Sequence, residues 1–172
     1  ISEDADLSGA CTVFLDAAAR ALDALDVMRL AEGAHIVRDF EKRLARLEAQ
    51  REEVKRHAPQ IVADYRAHLT EVLAEFRTVM PDETRIMQEA ALYADRVNVT
   101  EELVRLASHF AQFRTILAEE EPVGRRLDFL LQEINRETNT IGSKVNSAAI
   151  QQVVVAMKNE VEKLREQVQN LE

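Results

Sequence analysis

The sequence is poor in the residues that build disulfides, turns and membrane spans. In 172 residues it has one cysteine, four glycines, three prolines and no tryptophan. The lone Cys11 cannot form a disulfide within the chain and suits a reducing compartment. No apolar run approaches the roughly 20 residues that cross a bilayer, and no signal peptide is visible, so no membrane partner is predicted.

What the sequence does contain is typical of helices. Ala, Leu, Glu and Arg are abundant, while the helix-breaking residues are scarce, which predicts an all-α fold. Acidic residues outnumber basic ones by 31 to 22, giving a net charge of −9. This charge excludes generic attraction of the whole chain to nucleic acid, so RNA binding would require a local basic cluster.

The first part of the chain divides into a linker and a helix. Residues 1–8 are acidic and aperiodic, which predicts a linker remnant before a helical domain over residues 9–172. From Ser8 onward, apolar residues recur at helical spacing and predict a core face. They are Phe14, Ala17, Ala18, Ala21, Leu22, Leu25 and Met28. Glu32 and Gly33 then predict a helix junction or a tight packing point.

A long apolar seam follows. Its near 4-3 spacing predicts a helical arm over about residues 34–80 that needs a partner helix. Pro59 lies on the outer side of the seam and predicts a kink or a junction between two helices. His57 and His68 are interpreted as solvated or interfacial, because no cysteine or carboxylate set brackets them at ligand spacing.

Residues 81–146 form a motif region with several helix-start signals. Pro81, followed by two acidic residues, predicts the first turn of a helix. Thr100, again followed by two acidic residues, predicts the N-cap of the next helix. The buried stripe predicted for that helix consists of Leu103, Leu106, Phe110, Phe113 and Leu117.

Residues 147–172 form the terminal helix, with Ser147 as its predicted N-cap after a break that begins at Gly142. Its seam is regular, with valine at the a positions and mostly leucine at the d positions, which favours a two-stranded contact. The seam residues are Ile150, Val154, Met157, Val161, Leu164, Val168 and Leu171. Together these segments predict an elongated bundle of long, antiparallel, coiled-coil-like helices.

The stretch Gly124–Lys144, GRRLDFLLQEINRETNTIGSK, has polar residues that are too patterned for a plain solvated helix. At 100° per residue, one side is formed by Leu127, Leu130, Leu131, Ile134, Thr138 and Ile141. The opposite stripe is formed by Arg125, Asp128, Gln132, Asn135, Arg136 and Asn139. Because these planar groups make directed hydrogen bonds, the stripe is either a polar interface or a ligand-binding or catalytic face.

A second unusual feature is an edge of the preceding helix. Glu102, Arg105, His109 and Gln112 are spaced three, four and three residues apart, so they share one edge beside the apolar stripe. His109 has two interpretations, a satisfied structural group or a catalytic or metal-binding residue. Glu133 and Glu137, one turn apart, would complete such a site if their helix faces this edge.

The same stretches carry a resemblance to a known family. The string GRRLDFLLQEINRETNTIGSK, with EELVRLASH upstream and EKLREQVQNLE at the end, resembles the YicC-like family of bacterial endoribonucleases over residues 28–172. The resemblance implies a cytoplasmic, RNA-cleaving homo-oligomer, with a hexamer as its candidate state, that depends on a divalent cation, Mn²⁺ or Mg²⁺. The family also carries an amino-terminal domain that this sequence lacks, which predicts that the chain is a carboxy-terminal portion and is inactive alone if the site is shared.

The preferred mechanism is hydrolysis of an RNA phosphodiester by a carboxylate-held metal that activates water or the 2′-hydroxyl. The predicted catalytic residues are Glu102, His109, Asp128, Glu133 and Glu137, of which all except Asp128 are also candidate metal ligands. The predicted contacts to phosphate or ribose are Arg105, Arg125, Arg126, Asn135, Arg136, Asn139 and Lys144. Base specificity is expected to be low, because no aromatic cluster offers stacking platforms.

A second class of function remains open. The fragment is alternatively a helical oligomerisation and RNA-clamp module, with the chemistry in a composite site or in the missing domain. The long seams and the negative charge favour this alternative. Two seams that each need a partner helix also predict self-association.

Overall fold

The computed structural model describes residues 7–75, 83–119, 121–169 and 171. Within these ranges the chain forms α1 (Leu7–Glu75), α2 (Glu83–Arg96), α3 (Thr100–Leu117), α4 (Gly124–Lys144) and α5 (Ala148–Val168). No strand occurs in the described ranges. The all-α prediction is therefore confirmed. None of these helices combines the length and apolar character that crossing a bilayer requires.

The chain divides into two units, Ile1–Phe40 and Glu41–Glu172. In the first unit, the described residues are the opening part of α1. The predicted core face is exposed there: Phe14 is 72% exposed and Met28 is 58% exposed. The prediction that this face is core was wrong for the chain by itself, because a single helical segment has no second layer to cover it.

Gly33 does not interrupt α1, which runs through it without a break. A Cβ placed on Gly33 meets nothing within 4 Å. The predicted junction or tight packing point was therefore wrong. Helix α1 likewise continues through Pro59, so no junction between two helices lies there. The arm was predicted over about residues 34–80, and its last residues, 76–80, lie outside the described residues. Pro81 and most of the predicted linker lie outside them as well.

The core of the second unit is built around α4, which packs against both α3 and α5. Fully buried side chains come from all three helices: Leu106, Phe110, Phe113, Leu127, Leu131, Ile134, Ile141, Ile150, Met157 and Leu164. The predicted apolar side of α4 is buried at every position, with Thr138 donating a hydrogen bond from its hydroxyl to the carbonyl of Ile134 at 2.8 Å. The prediction of an amphipathic α4 is confirmed.

The seam of α5 is also buried inside this unit, from Ile150 to Val168. Helix α4 supplies the facing surface, so this seam does not require a second chain. The sequence argument inferred self-association from two seams that each need a partner helix. Since α4 is that partner for α5, self-association stays a prediction without this support. Gly142 does not end α4, which continues to Lys144. Instead, a Cβ on Gly142 would lie 3.0 Å from the Cγ1 atom of Val154, so glycine permits the close approach of α5.

Ion pairs join the second part of α1 to α3 and α5. Arg114 binds Glu48 through both terminal nitrogens, at 2.6 and 3.1 Å, and Glu41 through Nε at 3.0 Å. On α5, Glu160 accepts hydrogen bonds from Arg43 at 3.1 Å and from Arg46 at 3.2 Å. The Arg114 contacts link α1 to α3, which forms one wall of the candidate site.

Helix ends differ from the predicted caps. The N-cap of α3 is Val99 rather than Thr100, and the backbone N–H of Thr100 donates to the side-chain oxygen of Asn98 at 3.0 Å. Ser147 does occupy the N-cap position of α5, but its hydroxyl makes no capping hydrogen bond. At the other side of this connection, the Gln151 amide donates to the carbonyls of Gly142 at 2.6 Å and Val145 at 2.8 Å.

Candidate metal and RNA site

Three of the predicted site residues meet where α3 packs against α4. His109 comes from α3, and Glu133 and Glu137 come from successive turns of α4. Each offers one potential ligand atom, and these atoms all lie within 4.8 Å of one another. The convergence has a simple origin, because the i,i+4 spacing puts both carboxylates on one edge of α4 while the Phe110 stripe presses the edge with His109 towards them.

The three residues differ in burial. Glu137 is 3% exposed, whereas Glu133 and His109 are half-buried. The Nδ1 atom of His109 is buried and finds no hydrogen-bond partner in the described part of the chain. A buried polar atom without a partner costs about 1–3 kcal/mol. The cluster therefore offers an imidazole nitrogen and carboxylate oxygens as potential ligands, and one nitrogen of His109 lacks a hydrogen-bond partner.

Arg105 connects this cluster to the surface. Its Nη1 atom donates to Oε1 of Glu137 at 3.3 Å, and its Nη2 atom donates to Oε1 of Glu101. The hydrogen bond to Glu137, followed by the negative charge of Glu101, raises the pKa of Arg105 above its ordinary value. Arg105 thus remains charged while it is shared between two carboxylates.

Glu102 lies apart from the cluster. It is two turns before His109 on the same helix, and its Oε1 atom pairs with the Nζ atom of Lys144 at 2.7 Å. Lys144 also donates to the carbonyl of Asn98 at 3.0 Å. Glu102 is buried, and its Oε2 atom has no hydrogen-bond partner among the described residues. Glu102 and Lys144 thus form a contact between the start of α3 and the end of α4. Each lies about two helical turns from the cluster residue on its own helix.

Asp128 also lies outside the cluster. Its Oδ2 atom accepts a hydrogen bond from Gln132 at 2.8 Å, and its Oδ1 atom lies 3.5 Å from Nε of Arg165 on α5. The neighbouring Arg126 forms a two-pronged pair with Glu119, which raises the pKa of Arg126. Both predicted site residues are therefore engaged within the chain.

The rest of the polar stripe faces solvent within this chain. Arg125, Asn135, Arg136 and Asn139 are exposed. Arg136 lies 3.6 Å from Glu133, with 69% of its side chain exposed. The stripe therefore runs along an open surface, and Arg136 brings positive charge to the rim of the clustered carboxylates.

Sequence reasoning missed Glu101 and Asn98. Glu101 has the i,i+4 spacing to Arg105 that marks a helix ion pair, so its role was detectable. Asn98 takes part through its backbone carbonyl, which no side-chain pattern reveals.

Comparison with known proteins identifies the family. The family model for the carboxy-terminal part of YicC-like endoribonucleases matches residues 54–172. This chain belongs to the YicC-like endoribonuclease family. The clustered His109, Glu133 and Glu137 all fall inside the matched range, and the resemblance found in the sequence is confirmed.

Two curated relatives of the family, each named probable endoribonuclease YicC, cover most of this chain. The protein from Clostridioides difficile (strain 630) is 42% identical over 154 residues, which are 88% of this chain and 53% of the relative. The protein from Haemophilus influenzae (strain ATCC 51907 / DSM 11121 / KW20 / Rd) is 37% identical over 145 residues, which are 84% of this chain and 50% of the relative. The chain therefore spans about half the length of the curated relatives it matches.

Proposed function

We propose that this chain carries the metal-binding part of an endoribonuclease, with a divalent cation held by His109, Glu133 and Glu137. The observation that carries the proposal is the convergence of their ligand atoms within 4.8 Å. Membership of the YicC-like family supplies RNA as the substrate class. The cytoplasm is the compartment that we propose for it.

The donor set fits a divalent cation. Two ionised carboxylates would bring a charge of −2, which one such cation neutralises, and the His109 imidazole would add a nitrogen ligand. Carboxylates suit both Mg²⁺ and Mn²⁺, whereas an imidazole ligand suits transition metals better than Mg²⁺. Mn²⁺ is therefore the better match of the two.

The residues divide the work according to their burial. A bound metal would stabilise the charge that develops on the phosphate and acidify water or the 2′-hydroxyl. Glu137 is the fixed ligand, because it is buried and held by Arg105. Glu133 stands nearer to solvent, with Arg136 at the rim, so it is the ligand on the open side of the cluster, from which a substrate phosphate would approach. Arg125 and Arg136, both exposed, hold neighbouring phosphates.

A titration with Mn²⁺ tests the site. Calorimetry on the 172-residue chain should show binding that Glu133→Gln, Glu137→Gln and His109→Ala each reduce at least tenfold, whereas the exposed His68→Ala leaves it unchanged. Circular dichroism checks that the helices survive. Absence of Mn²⁺ binding, or binding that ignores all three substitutions, would remove the site. Cleavage of single-stranded RNA is then compared in the same variants of the gene's full product.

The clamp and oligomerisation alternative has one observation in its favour. The first unit exposes Val13, Phe14, Leu15, Leu22, Leu25, Val27, Met28, Leu30 and Val37. We propose that this surface, rather than the α5 seam, mediates self-association into the homo-oligomer. Replacing Phe14 and Leu22 with Glu should lower the mass measured by light scattering without loss of helicity. An unchanged mass for this double variant would exclude the surface as the contact.

A further inference from the structure

Arg105 lies between two carboxylates that differ in burial. The Glu137 side chain is 4% exposed and that of Glu101 is 69% exposed. The inner bond is shielded from water and belongs to the candidate metal cluster. The outer bond is an exposed i,i+4 pair, a type of contact that contributes little to stability and is readily exchanged.

The charges around the cluster indicate which group could replace Glu101 on Arg105. Glu133, Glu137, Arg105, Arg136 and one divalent cation together carry a charge of +2. Glu101 reduces that charge to +1. A phosphodiester carries one negative charge, so it would replace Glu101 on Arg105 without changing the net charge of the site. The outer edge of the guanidinium keeps donors for a phosphate while Nη1 remains on Glu137, because arginine presents five N–H groups in a planar fork.

Arg126 gives a useful contrast. Both of its terminal nitrogens bind one carboxylate, that of Glu119. It therefore has no terminal nitrogen on the metal cluster, and release of Glu119 would not link a phosphate to that cluster. Arg105, by contrast, donates to the clustered Glu137 through one terminal nitrogen and to the exposed Glu101 through the other.

We propose that Glu101 occupies, in the free protein, the position on Arg105 that an RNA phosphate takes in the complex. Arg105 is then a substrate-binding residue that seats one phosphate beside the ligand carboxylates, and Glu101 is a built-in competitor for it. The inference rests on the proposed function, since it assigns the phosphate position of that same site.

The test measures binding to a fluorescein-labelled 2′-O-methyl RNA of about ten nucleotides in the presence of Mn²⁺, and gel electrophoresis checks that the probe stays intact. Glu101→Gln should bind the probe about two- to fivefold more tightly, the range expected for release of one exposed ion pair. The matched control is Glu52→Gln, which removes the same charge from exposed ion pairs with Arg51 and Lys55 on α1 in the second unit. This control should leave the affinity unchanged.

A double-mutant cycle ties the effect to Arg105. Arg105→Gln should weaken binding and make a further Glu101→Gln substitution silent, because the two side chains then no longer interact. Since Arg105→Gln leaves buried Glu137 without its partner, Arg105→Lys serves as the second variant and circular dichroism monitors helicity. Lysine keeps one positive charge but has no planar fork that could hold Glu137 and a phosphate together, so the gain from Glu101→Gln should be smaller than with arginine.

Two results would overturn the inference. One is an equal affinity for Glu101→Gln and Glu52→Gln, and the other is a gain from Glu101→Gln that persists in full in Arg105→Gln. Mn²⁺ calorimetry on the same proteins separates this failure from failure of the proposed function. Normal, Glu133-dependent Mn²⁺ binding with a silent Glu101→Gln refutes the competitor alone, whereas absent Mn²⁺ binding refutes the metal site.

Discussion

Leu164→Lys is the substitution that best separates packing within the chain from packing between chains. Leu164 lies on the seam of α5 and has 0% of its surface exposed. Truncating a buried leucine costs about 2–5 kcal/mol, and placing an ammonium there adds to the cost. The aliphatic part of lysine recovers some packing if its charge reaches water. We expect a loss of about 4 kcal/mol in the free energy of unfolding.

Urea denaturation followed by circular dichroism measures this loss. With a slope of about 2 kcal/mol per molar urea, the midpoint should fall by about 2 M, with the slope itself unchanged. The control is Val155→Lys on the same helix, because Val155 is 57% exposed. A surface change of this kind should stay within about 0.5 kcal/mol.

The reasoning fails if Leu164→Lys keeps the parent midpoint but halves the mass of the protein in light scattering. That outcome would place the seam between chains rather than inside one. Equal destabilisation by Leu164→Lys and Val155→Lys would also contradict the structure, because burial would then have no bearing on the cost.

Three further predictions concern Glu160, two glycines and Arg136. Burial raises the pKa of Glu160, but Lys163, Arg43 and Arg46 outweigh burial and leave the pKa lowered. The contribution of Glu160 to stability is therefore present above the unfolded-state pKa of about 4.3 and is lost as the pH falls below it. Urea midpoints measured between pH 7 and pH 3 should fall less steeply in Glu160→Gln than in the parent. Gly33→Ala should stabilise its helix by about 0.5–1 kcal/mol, seen as higher helicity on heating, while Gly142→Ala should gain less because Val154 is in the way. Arg136→Ala should lower the slope of log affinity for single-stranded RNA against log salt by about 0.7; an unchanged slope would take Arg136 off the RNA path.

Periodicity predicted the faces of individual helices well. For α4, the apolar and polar sides could be derived from the sequence, because its strong amphipathicity constrains them. Its end was placed too early, since the helix continues through Gly142 to Lys144. The same method misjudged the face with Phe14, since the pattern identifies an apolar surface but not what covers it. It also left the partner of the α5 seam open, because spacing alone does not distinguish α4 from a second copy of the chain.

The residues of the candidate site could be predicted from the sequence, whereas their arrangement in space could not. His109 and the two glutamates were named from the chemistry of their side chains and from spacing within each helix. Whether these three side chains lie close together depends on the register between α3 and α4, and that register cannot be read from spacing within each helix. Glu102 shares an edge with His109, yet it pairs with Lys144 because the ends of the two helices meet there.

Gln151 has a consequence for how the second unit opens. The side-chain amide of Gln151 donates to two carbonyls, that of Gly142 in the last turn of α4 and that of Val145 just after it. The backbone N–H of Gln151 donates to the carbonyl of Ser147 at 2.8 Å. Fraying of that turn therefore requires the start of α5 to move as well. In a hydrogen-exchange experiment, the last amides of α4 and the first hydrogen-bonded amides of α5 should lose protection together, as one cooperative segment spanning the chain reversal.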